Sequence, residues 1–215
     1  MAIRLKERLA AVINELDNDS VLADIGCDHG MLSAYALLYG KASRVIAVDI
    51  SPKSLKKTEL LAEKLKLDKL ETRLGDGLSV IGAGEVDTVV IAGMGGMEII
   101  KILSNSNNSF EKYVLVPHSN TKELREYLSS NFRIEKDYLV KEGNRFYDVL
   151  TVYKGYGELN ELQLYFGKNT NNPLLKEMLE PKLEKYVKCL KKAENVAEKE
   201  ALSKKIDRIE RVLEL

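Results

Sequence analysis

Cysteine and tryptophan are scarce in this sequence, which has two cysteines and no tryptophan. Cys27 and Cys189 stand far apart and form no CxxC pair, so neither zinc-ribbon spacing nor a disulfide framework is present. Two free thiols are typical of a reducing compartment. No apolar run approaches the roughly 20 residues of a membrane span, and the first stretch has none long enough for a signal peptide. We therefore expect a cytoplasmic, soluble protein with no membrane partner.

Neither sign of charge is in excess, because 33 Lys and Arg residues balance 33 Asp and Glu residues. Net charge therefore neither favours nor excludes a nucleic acid, and any RNA contact has to depend on a local patch. The apolar fraction of 45% supports a real core, and 215 residues allow one domain with an appendage.

Short apolar runs alternate with segments that have the spacing of helices. The runs predict strands at 21–25, 44–50, 70–77, 86–96 and 112–119. Two consecutive strands within 132–155 flank Gly143-Asn144 and predict a hairpin. Five β–α units followed by an antiparallel hairpin predict an α/β fold with a Rossmann-like, seven-stranded and mostly parallel sheet. This ending is typical of methyltransferases, whereas most dehydrogenases stay parallel to the last strand.

The sequence changes character after residue 160. A polar linker is predicted at 166–175, and two heptad-like seams follow it. Proline 181 predicts that the first helix is kinked or begins near Glu180. We expect a methyltransferase domain at 1–160, and at 161–215 a linker and an antiparallel coiled-coil extension whose charges form either a solvated face or a binding surface. The seams consist of Leu179, Leu183, Tyr186, Leu190 and Ala193, and of Leu202, Ile206, Ile209 and Leu213.

The turn after the first strand reads DIGCDHG, from Asp24 to Gly30. It fits the pattern acid-x-Gly-x-Gly-x-Gly, with Asp28 in place of the middle glycine, and Gly26 would allow a ligand to approach the backbone. Asp28 would repel the pyrophosphate of a dinucleotide. S-adenosylmethionine has no phosphate and carries a sulfonium and an ammonium, so it is compatible with a carboxylate. A plain β–α turn is the alternative.

Two further strand ends carry an acid. Asp49, followed by Ile50, ends the second strand and would bind ribose hydroxyls, although an acid that favours a helix N-terminus also fits. Asp76-Gly77 ends the third strand, where the fold places an adenine ring, but Asp-Gly is by itself most often a turn.

A second glycine-rich turn, AGMGG, follows the fourth strand. Gly93, Gly95 and Gly96 suggest that something large lies against the backbone, and a tight turn is the alternative. The Asn/Asp-Pro-Pro-aromatic motif of amino-methyltransferases is absent there, which argues against that chemistry. His118 and Tyr147 fall on the rim, where they could contact a base or be ordinary rim residues.

Together these motifs resemble the bacterial tRNA (adenine-N1)-methyltransferases that modify adenine 22. The similarity covers roughly 5–153 and is most specific in the Asp-His pair and in AGMGG; Cys27, Gly30-Met31 and 117–120 depart from the family pattern. The resemblance implies S-adenosylmethionine as cofactor, tRNA as substrate and no obligate protein partner. It implies that Asp28 and His29 border the methyl group or hold the methionine end. The expected cofactor-binding residues are Asp24, Gly26, Asp28, His29, Gly30, Asp49, Ile50, Asp76, Gly77, Gly93, Met94 and Gly95.

Phosphate contacts to the tRNA would need basic side chains on the first helix and on the extension. Other readings stay open: a methyltransferase of another RNA, a small molecule or a protein, a non-catalytic adaptor and, less compatibly with Asp28, a nicotinamide dehydrogenase. The candidate phosphate contacts are Arg4, Lys6, Arg8, Lys185, Lys188, Lys191 and Lys192.

Overall fold

The computed structural model describes residues 5–214. Strands alternate with helices along most of the chain, and three helices follow the last strand. The strands are β1 (Ser20–Ile25), β2 (Ala42–Asp49), β3 (Leu70–Leu74), β4 (Thr88–Ala92), β5 (Lys112–Val116), β6 (Phe132–Glu142) and β7 (Arg145–Lys154). The helices are α1 (Glu7–Glu15), α2 (Met31–Leu38), α3 (Pro52–Leu65), α4 (Gly96–Ser104), α5 (Thr121–Asn131), α6 (Glu161–Phe166), α7 (Pro173–Leu190) and α8 (Val196–Leu213).

The strands form one seven-stranded sheet in the order β3-β2-β1-β4-β5-β7-β6. The first five strands are parallel, and β7 pairs antiparallel with both β5 and β6. The predicted Rossmann-like methyltransferase sheet and its closing hairpin at Gly143-Asn144 are confirmed. Strand order reverses between β1 and β4, and ligands in such sheets bind at the carboxyl edge beside that point.

Local signals fix several element ends. Ser51 caps α3, because its hydroxyl accepts a hydrogen bond from the Ser54 amide at 3.3 Å, and Pro52 occupies the first helical position. Gly40, which has φ +67, follows α2 and prevents the helix from continuing, as a glycine at this position predicts.

The prediction of a helix after every parallel strand is wrong at β3. Residues 75–87 form turns instead, and the left-handed backbone of Gly77 and Gly84, at φ +59 and +68, breaks any helix there. The strands predicted at 70–77 and 86–96 are also shorter, because the turns that carry Asp76 and Gly93 start at their ends.

Both faces of the sheet are covered, which explains the continuous apolar runs. Side chains alternate along β1, so Leu22 packs in the cluster under α1 and α2, whereas Ala23 packs in the cluster under α4 and α5. Val12 of α1 and Leu32 of α2 belong to the first cluster, so this cluster anchors both helices on the sheet.

The region after β7 differs from the prediction in three ways. Helix α6 was not predicted, although a capping box at Asn160 starts it. Helix α7 begins at Pro173 and continues through Pro181, so the prediction of a start near Glu180 is wrong. The break between the two seams predicts a link at 194–200, but the connection from α7 to α8 spans 191–195, because Asn195 caps α8 and the residues from Val196 onward are helical.

The last two helices pack on each other and on the sheet. Leu179 of α7 and Ile209 of α8 share a buried cluster with Leu139 of β6. Both predicted seams therefore supply core residues, and α7 and α8 cover part of the hairpin. Within residues 5–214, no helix combines the length and the apolar character needed to cross a membrane.

A buried ion cluster ties the segment after α6 to the sheet. Arg125 donates to both carboxylate oxygens of Asp137 at 2.8 Å and to Asp148 at 2.6 Å. The Lys168 amide donates to Asp137 at 3.3 Å. Removing one member would leave an uncompensated buried charge, so the cluster holds this segment in place.

Candidate active site

A cavity of about 550 Å³ opens at the carboxyl edge of the sheet, beside the switch in strand order. Its size is within the usual range of small-ligand sites. It brings together ten of the twelve residues expected to bind cofactor and places Gly30 and Gly95 outside its lining. The ten are Asp24, Gly26, Asp28, His29, Asp49, Ile50, Asp76, Gly77, Gly93 and Met94.

Asp24 lies at the floor of this cavity, at the end of β1. Its carboxylate accepts a hydrogen bond from the Ser33 hydroxyl of α2 at 2.6 Å. Burial raises the pKa of Asp24 to about 6, with a smaller contribution in the same direction from the charge of Asp49. A positively charged ligand group would stabilise the ionised form of this carboxyl.

The first turn adopts a left-handed backbone at Gly26, Asp28 and Gly30, with φ +75, +47 and +66. Asp28 thus keeps the conformation of the glycine it replaces, which Asp tolerates better than most residues. A Cβ on Gly30 would meet the Thr58 side chain at 2.5 Å, so this glycine makes room for α3 and not for a ligand.

Asp49 fastens this turn to the end of β2. One carboxylate oxygen accepts from the Asp28 amide at 3.1 Å, and the other accepts from the Ser51 amide at 2.8 Å. Each carboxylate oxygen can accept a further hydrogen bond. Asp49 therefore positions Asp28 and still has lone pairs for ligand hydroxyls.

His29 lies between opposite charges. Its Nε2 atom is 3.4 Å from the Asp28 carboxylate and 3.4 Å from Nζ of Lys57 on α3. One ring nitrogen either donates to the carboxylate or accepts from the ammonium, so the two contacts require different protonation of Nε2. The side chains of His29 and Asp28 are 53% and 70% exposed, which leaves both accessible from the cavity mouth. Lys57 was not predicted, because nothing in its sequence context marks it.

The turn after β3 forms the far end of the cavity. Gly77 has φ +59, and a Cβ there would lie 3.0 Å from Ile102 of α4. Ile50 is 70% exposed and also lines the cavity, so an apolar surface faces the polar groups of Asp76. A flat aromatic ring with polar edges suits this combination.

The AGMGG turn only partly meets its prediction. Gly93 and Met94 face the cavity. A Cβ on Gly96 would lie 2.3 Å from the carbonyl oxygen of Asn120, and a Cβ on Gly95 would lie 3.2 Å from the Ser119 hydroxyl. The large neighbour of these last two glycines is therefore the protein's own chain after β5.

A second cavity, of about 460 Å³, adjoins the first and is lined by Arg8, His118, Arg145, Phe146 and Tyr147. Arg8 lines both cavities, and its guanidinium carbon lies 5.1 Å from the centre of the Tyr147 ring. The His118 amide donates to the Met94 carbonyl at 3.0 Å, and this hydrogen bond holds the segment after β5 against the AGMGG turn. The structure thus brings the two predicted rim residues together.

The basic residues named as RNA contacts fall in two places. Lys6 and Arg8 line the first cavity, a location that sequence reasoning missed, and Arg4 lies outside the described residues. Lys185 and Lys188 of α7, together with Lys192 just beyond its end, line a shallow groove beside Cys189, and Lys191 is exposed nearby. The two groups are on separate parts of the fold.

Comparison with known proteins gives the family. A family profile described as a methyltransferase domain matches residues 5–150. The tRNA (adenine(22)-N(1))-methyltransferase of Bacillus subtilis is 35% identical over 158 residues, which cover 71% of this chain and 66% of that protein. The chain belongs to this methyltransferase family.

Solved structures extend the family similarity over the whole chain. The Bacillus subtilis m1A22 tRNA methyltransferase TrmK is 27% identical, with a TM-score of 0.87 and coverage of 98% of this chain and 99% of that one. TrmK of M. capricolum, solved with S-adenosyl-homocysteine, is 28% identical with a TM-score of 0.89 and covers 98% of each chain. The family similarity thus includes α6, α7 and α8.

Proposed function

We propose that this chain transfers a methyl group from S-adenosylmethionine to N1 of adenine 22 in tRNA. The observation that carries the proposal is the match to the Bacillus subtilis enzyme and to its structure over nearly the full chain. The cavity chemistry supports the same conclusion, because its carboxylates suit a cationic nucleoside cofactor and not a pyrophosphate.

The cavity residues fit this cofactor group by group. S-adenosylmethionine, when bound, supplies a methyl group on a sulfonium. Asp76 and Gly77 would receive the adenine, beside the apolar surface of Ile50, and Asp49 would accept from the ribose hydroxyls. Asp24, buried and next to Ser33, would bind the ammonium. These assignments follow the order of the strand ends along the sheet.

Asp28 and His29 are the candidates for acting at the reacting atoms. Adenine N1 has an in-plane lone pair, so catalysis is mostly positioning, and methylation leaves a cationic base. The exposed Asp28 carboxylate would stabilise that charge as it develops. His29, between Asp28 and Lys57, would set the direction of the carboxylate.

The second cavity suits the acceptor nucleotide. None of the described residues that line it is acidic, whereas two are arginines and two are aromatic. This lining suits a flat base with phosphates, and it would not favour the amine of a protein substrate. N1 lies on the Watson–Crick edge, so the base would have to be extruded to enter.

The helices after residue 160 would hold the rest of the tRNA. We assign 1–160 to the methyltransferase domain and 161–215 to an extension whose lysines at and just after the end of α7 contact phosphates. The groove with Lys185, Lys188 and Lys192 supports this assignment. An antiparallel coiled coil is the expected arrangement of α7 and α8.

The deciding experiment uses purified full-length protein, labelled S-adenosylmethionine and an unmodified tRNA transcript. We expect N1-methyladenosine in the digested product, and its loss when adenine 22 is replaced by guanine. Methylation at another position, or of protein alone, would contradict the proposal. Calorimetry with NAD is a parallel control, for which we expect no binding.

A further inference from the structure

The charges that line the cofactor cavity are unevenly distributed. Among the described residues that line it, the basic ones apart from the imidazole of His29 are Lys6, which precedes α1, and Arg8 of α1. S-adenosylmethionine has one anionic group, the carboxylate of its methionine part. In a cavity this acidic, that group needs a positively charged partner. The acidic lining residues are Asp24, Asp28, Asp49, Asp76 and Glu98.

The guanidinium of Arg8 has no carboxylate partner within 4.0 Å among residues 5–214, and other contacts hold the residue in position. Its guanidinium is stacked over Tyr147 at 5.1 Å, and its backbone amide donates to Glu142 at 3.2 Å. Its Nε atom is buried and has no hydrogen-bond partner among residues 5–214. A buried donor without a partner is costly, so a ligand oxygen there would stabilise the site.

Other arginines of the described chain differ in this respect. Those that form ion pairs within 4.0 Å are Arg44, Arg73, Arg125, Arg133, Arg208 and Arg211. Between residues 5 and 214, Arg8 and Arg145 have no such pair, and Arg145 lines only the second cavity. Arg8 is therefore the arginine of the cofactor cavity with an open position for an anion.

The location of Arg8 matches the direction of the cofactor. Strand order places the adenine site after β3, the ribose site at the end of β2, and Gly26 after β1. The next strand is β4, and Nη1 of Arg8 lies 3.6 Å from where a Cβ on Gly93 would stand. A nucleoside amino acid laid along this edge brings its amino-acid end to Arg8.

We propose that Arg8 binds the carboxylate of S-adenosylmethionine, rather than a tRNA phosphate. The inference depends on the cofactor part of the proposed function but not on the tRNA. Lys6 is also near, but its side chain is exposed at the start of α1 and is not stacked. The planar guanidinium can pair with a carboxylate through two hydrogen bonds, which an ammonium cannot reproduce.

The test compares two ligands, S-adenosylhomocysteine and its carboxamide, by calorimetry on the full chain. We expect the wild type to bind the carboxamide roughly tenfold to a hundredfold more weakly. In Arg8→Met the ratio of the two dissociation constants should fall to about one or invert, because the acidic cavity then favours the more positive ligand. Arg8→Lys should keep part of the ratio.

Two matched variants give the control. Lys6→Met and Arg145→Met should keep the wild-type ratio, because neither group is placed to pair with the carboxylate. The proposal is overturned if Arg8→Met keeps the ratio, if Lys6→Met abolishes it, or if the wild type binds neither ligand. Far-ultraviolet circular dichroism checks folding, and Arg8→Lys serves if Arg8→Met unfolds. Intact discrimination without tRNA methylation would contradict only the proposed function.

Discussion

Arg8 and Tyr147 lie at the boundary between the two cavities: the guanidinium carbon is 5.1 Å from the ring centre, Arg8 lines both cavities, and Tyr147 lines the second. Arg8 comes from α1 and Tyr147 from β7, so the contact joins the first helix of the domain to its last strand. A base in the second cavity would lie against this pair and next to the cofactor.

The Tyr147 ring should matter more for tRNA than for the cofactor. We expect Tyr147→Leu to raise KM for tRNA about tenfold, since base–aromatic stacking contributes roughly 1–3 kcal/mol. Affinity for S-adenosylhomocysteine should weaken only a few-fold, and Tyr147→Phe should resemble the wild type. Tyr153→Leu is the matched control, because Arg133 is stacked on Tyr153 at 5.3 Å on another part of the sheet. Equal KM values for the two Leu variants would contradict a stacking role.

Cofactor affinity should depend on pH through Asp24. Because burial raises its pKa to about 6, this carboxyl is ionised at pH 7.5 and becomes protonated as pH falls below 6. A protonated carboxyl cannot pair with the ammonium, so the dissociation constant for S-adenosylmethionine should rise up to tenfold per pH unit below pH 6. Titration between pH 8 and 5 measures this, and Asp24→Asn should weaken binding at pH 7.5 and flatten the profile. A wild-type dissociation constant that does not change with pH would exclude pairing of Asp24 with the ammonium.

Falling pH should weaken cofactor binding through Asp24 but should stabilise the fold of the ligand-free protein through the same residue. Between its unfolded pKa of 3.8 and about 6, the folded chain binds a proton that the unfolded chain does not. The contribution of Asp24 to the free energy of unfolding therefore increases as pH falls from 6 towards 4. The difference in denaturant midpoint between wild type and Asp24→Asn across this range isolates that contribution.

The charge of Asp28 can be removed by substitution without a change in backbone conformation. Its φ is +47, and Asn tolerates this left-handed conformation, so Asp28→Asn should keep the fold. We expect kcat to fall roughly tenfold to a thousandfold, with cofactor affinity within a few-fold of wild type. His29→Ala, which removes the neighbour of the carboxylate at 3.4 Å, should have a smaller effect. Full turnover of both variants at saturating substrates would exclude a catalytic role.

Much of the fold could be predicted because its signals are local. Alternating apolar runs and turn residues predicted the sheet and the Gly143-Asn144 hairpin. Acids and glycines at strand ends predicted the cavity, since parallel strands present those ends at one edge. The missing helix after β3 and the short α6 are exceptions, because both depend on turns and on packing that a periodicity does not show.

Two residues reach the site through long-range packing: Lys57, which was not predicted, and Arg8, which was predicted only as a contact for a tRNA phosphate. Arg8 precedes the first strand, yet α1 packs beside β6 and β7 and brings it to the turn that carries Gly93. Lys57 faces the solvent side of α3 and meets His29 from another element. Neither position has a motif, so only the three-dimensional arrangement identifies them.

Gly96 should be the least replaceable glycine of its turn. A Cβ there would lie 2.3 Å from the Asn120 carbonyl oxygen, and backbone atoms cannot move aside easily. We expect Gly96→Ala to lower the free energy of unfolding by roughly 3 kcal/mol or more. Gly84→Ala is the control: its φ is +68 with open space around it, so strain alone should cost about 1 kcal/mol. Chemical denaturation measures both, and equal losses would contradict the close approach.

The lysines of α7 can be tested without removing the helix. Deleting 174–215 would uncover Leu139 of β6, which packs against Leu175 and Leu179, so lost binding could reflect lost folding. Lys185, Lys188 and Lys192 face a surface groove, and replacing them with Gln removes charge while leaving that cluster intact.

For this triple variant we expect weaker tRNA binding and a salt dependence reduced by up to about 0.7–0.9 in log–log slope per lost phosphate contact. Filter binding between 50 and 300 mM salt measures the slope. Gln at Lys53, Lys56 and Lys64 of α3 is the matched control, because it removes the same charge from the other side of the fold. An equal change in both variants would mean that only net charge matters, and an unchanged slope would mean that α7 does not bind RNA.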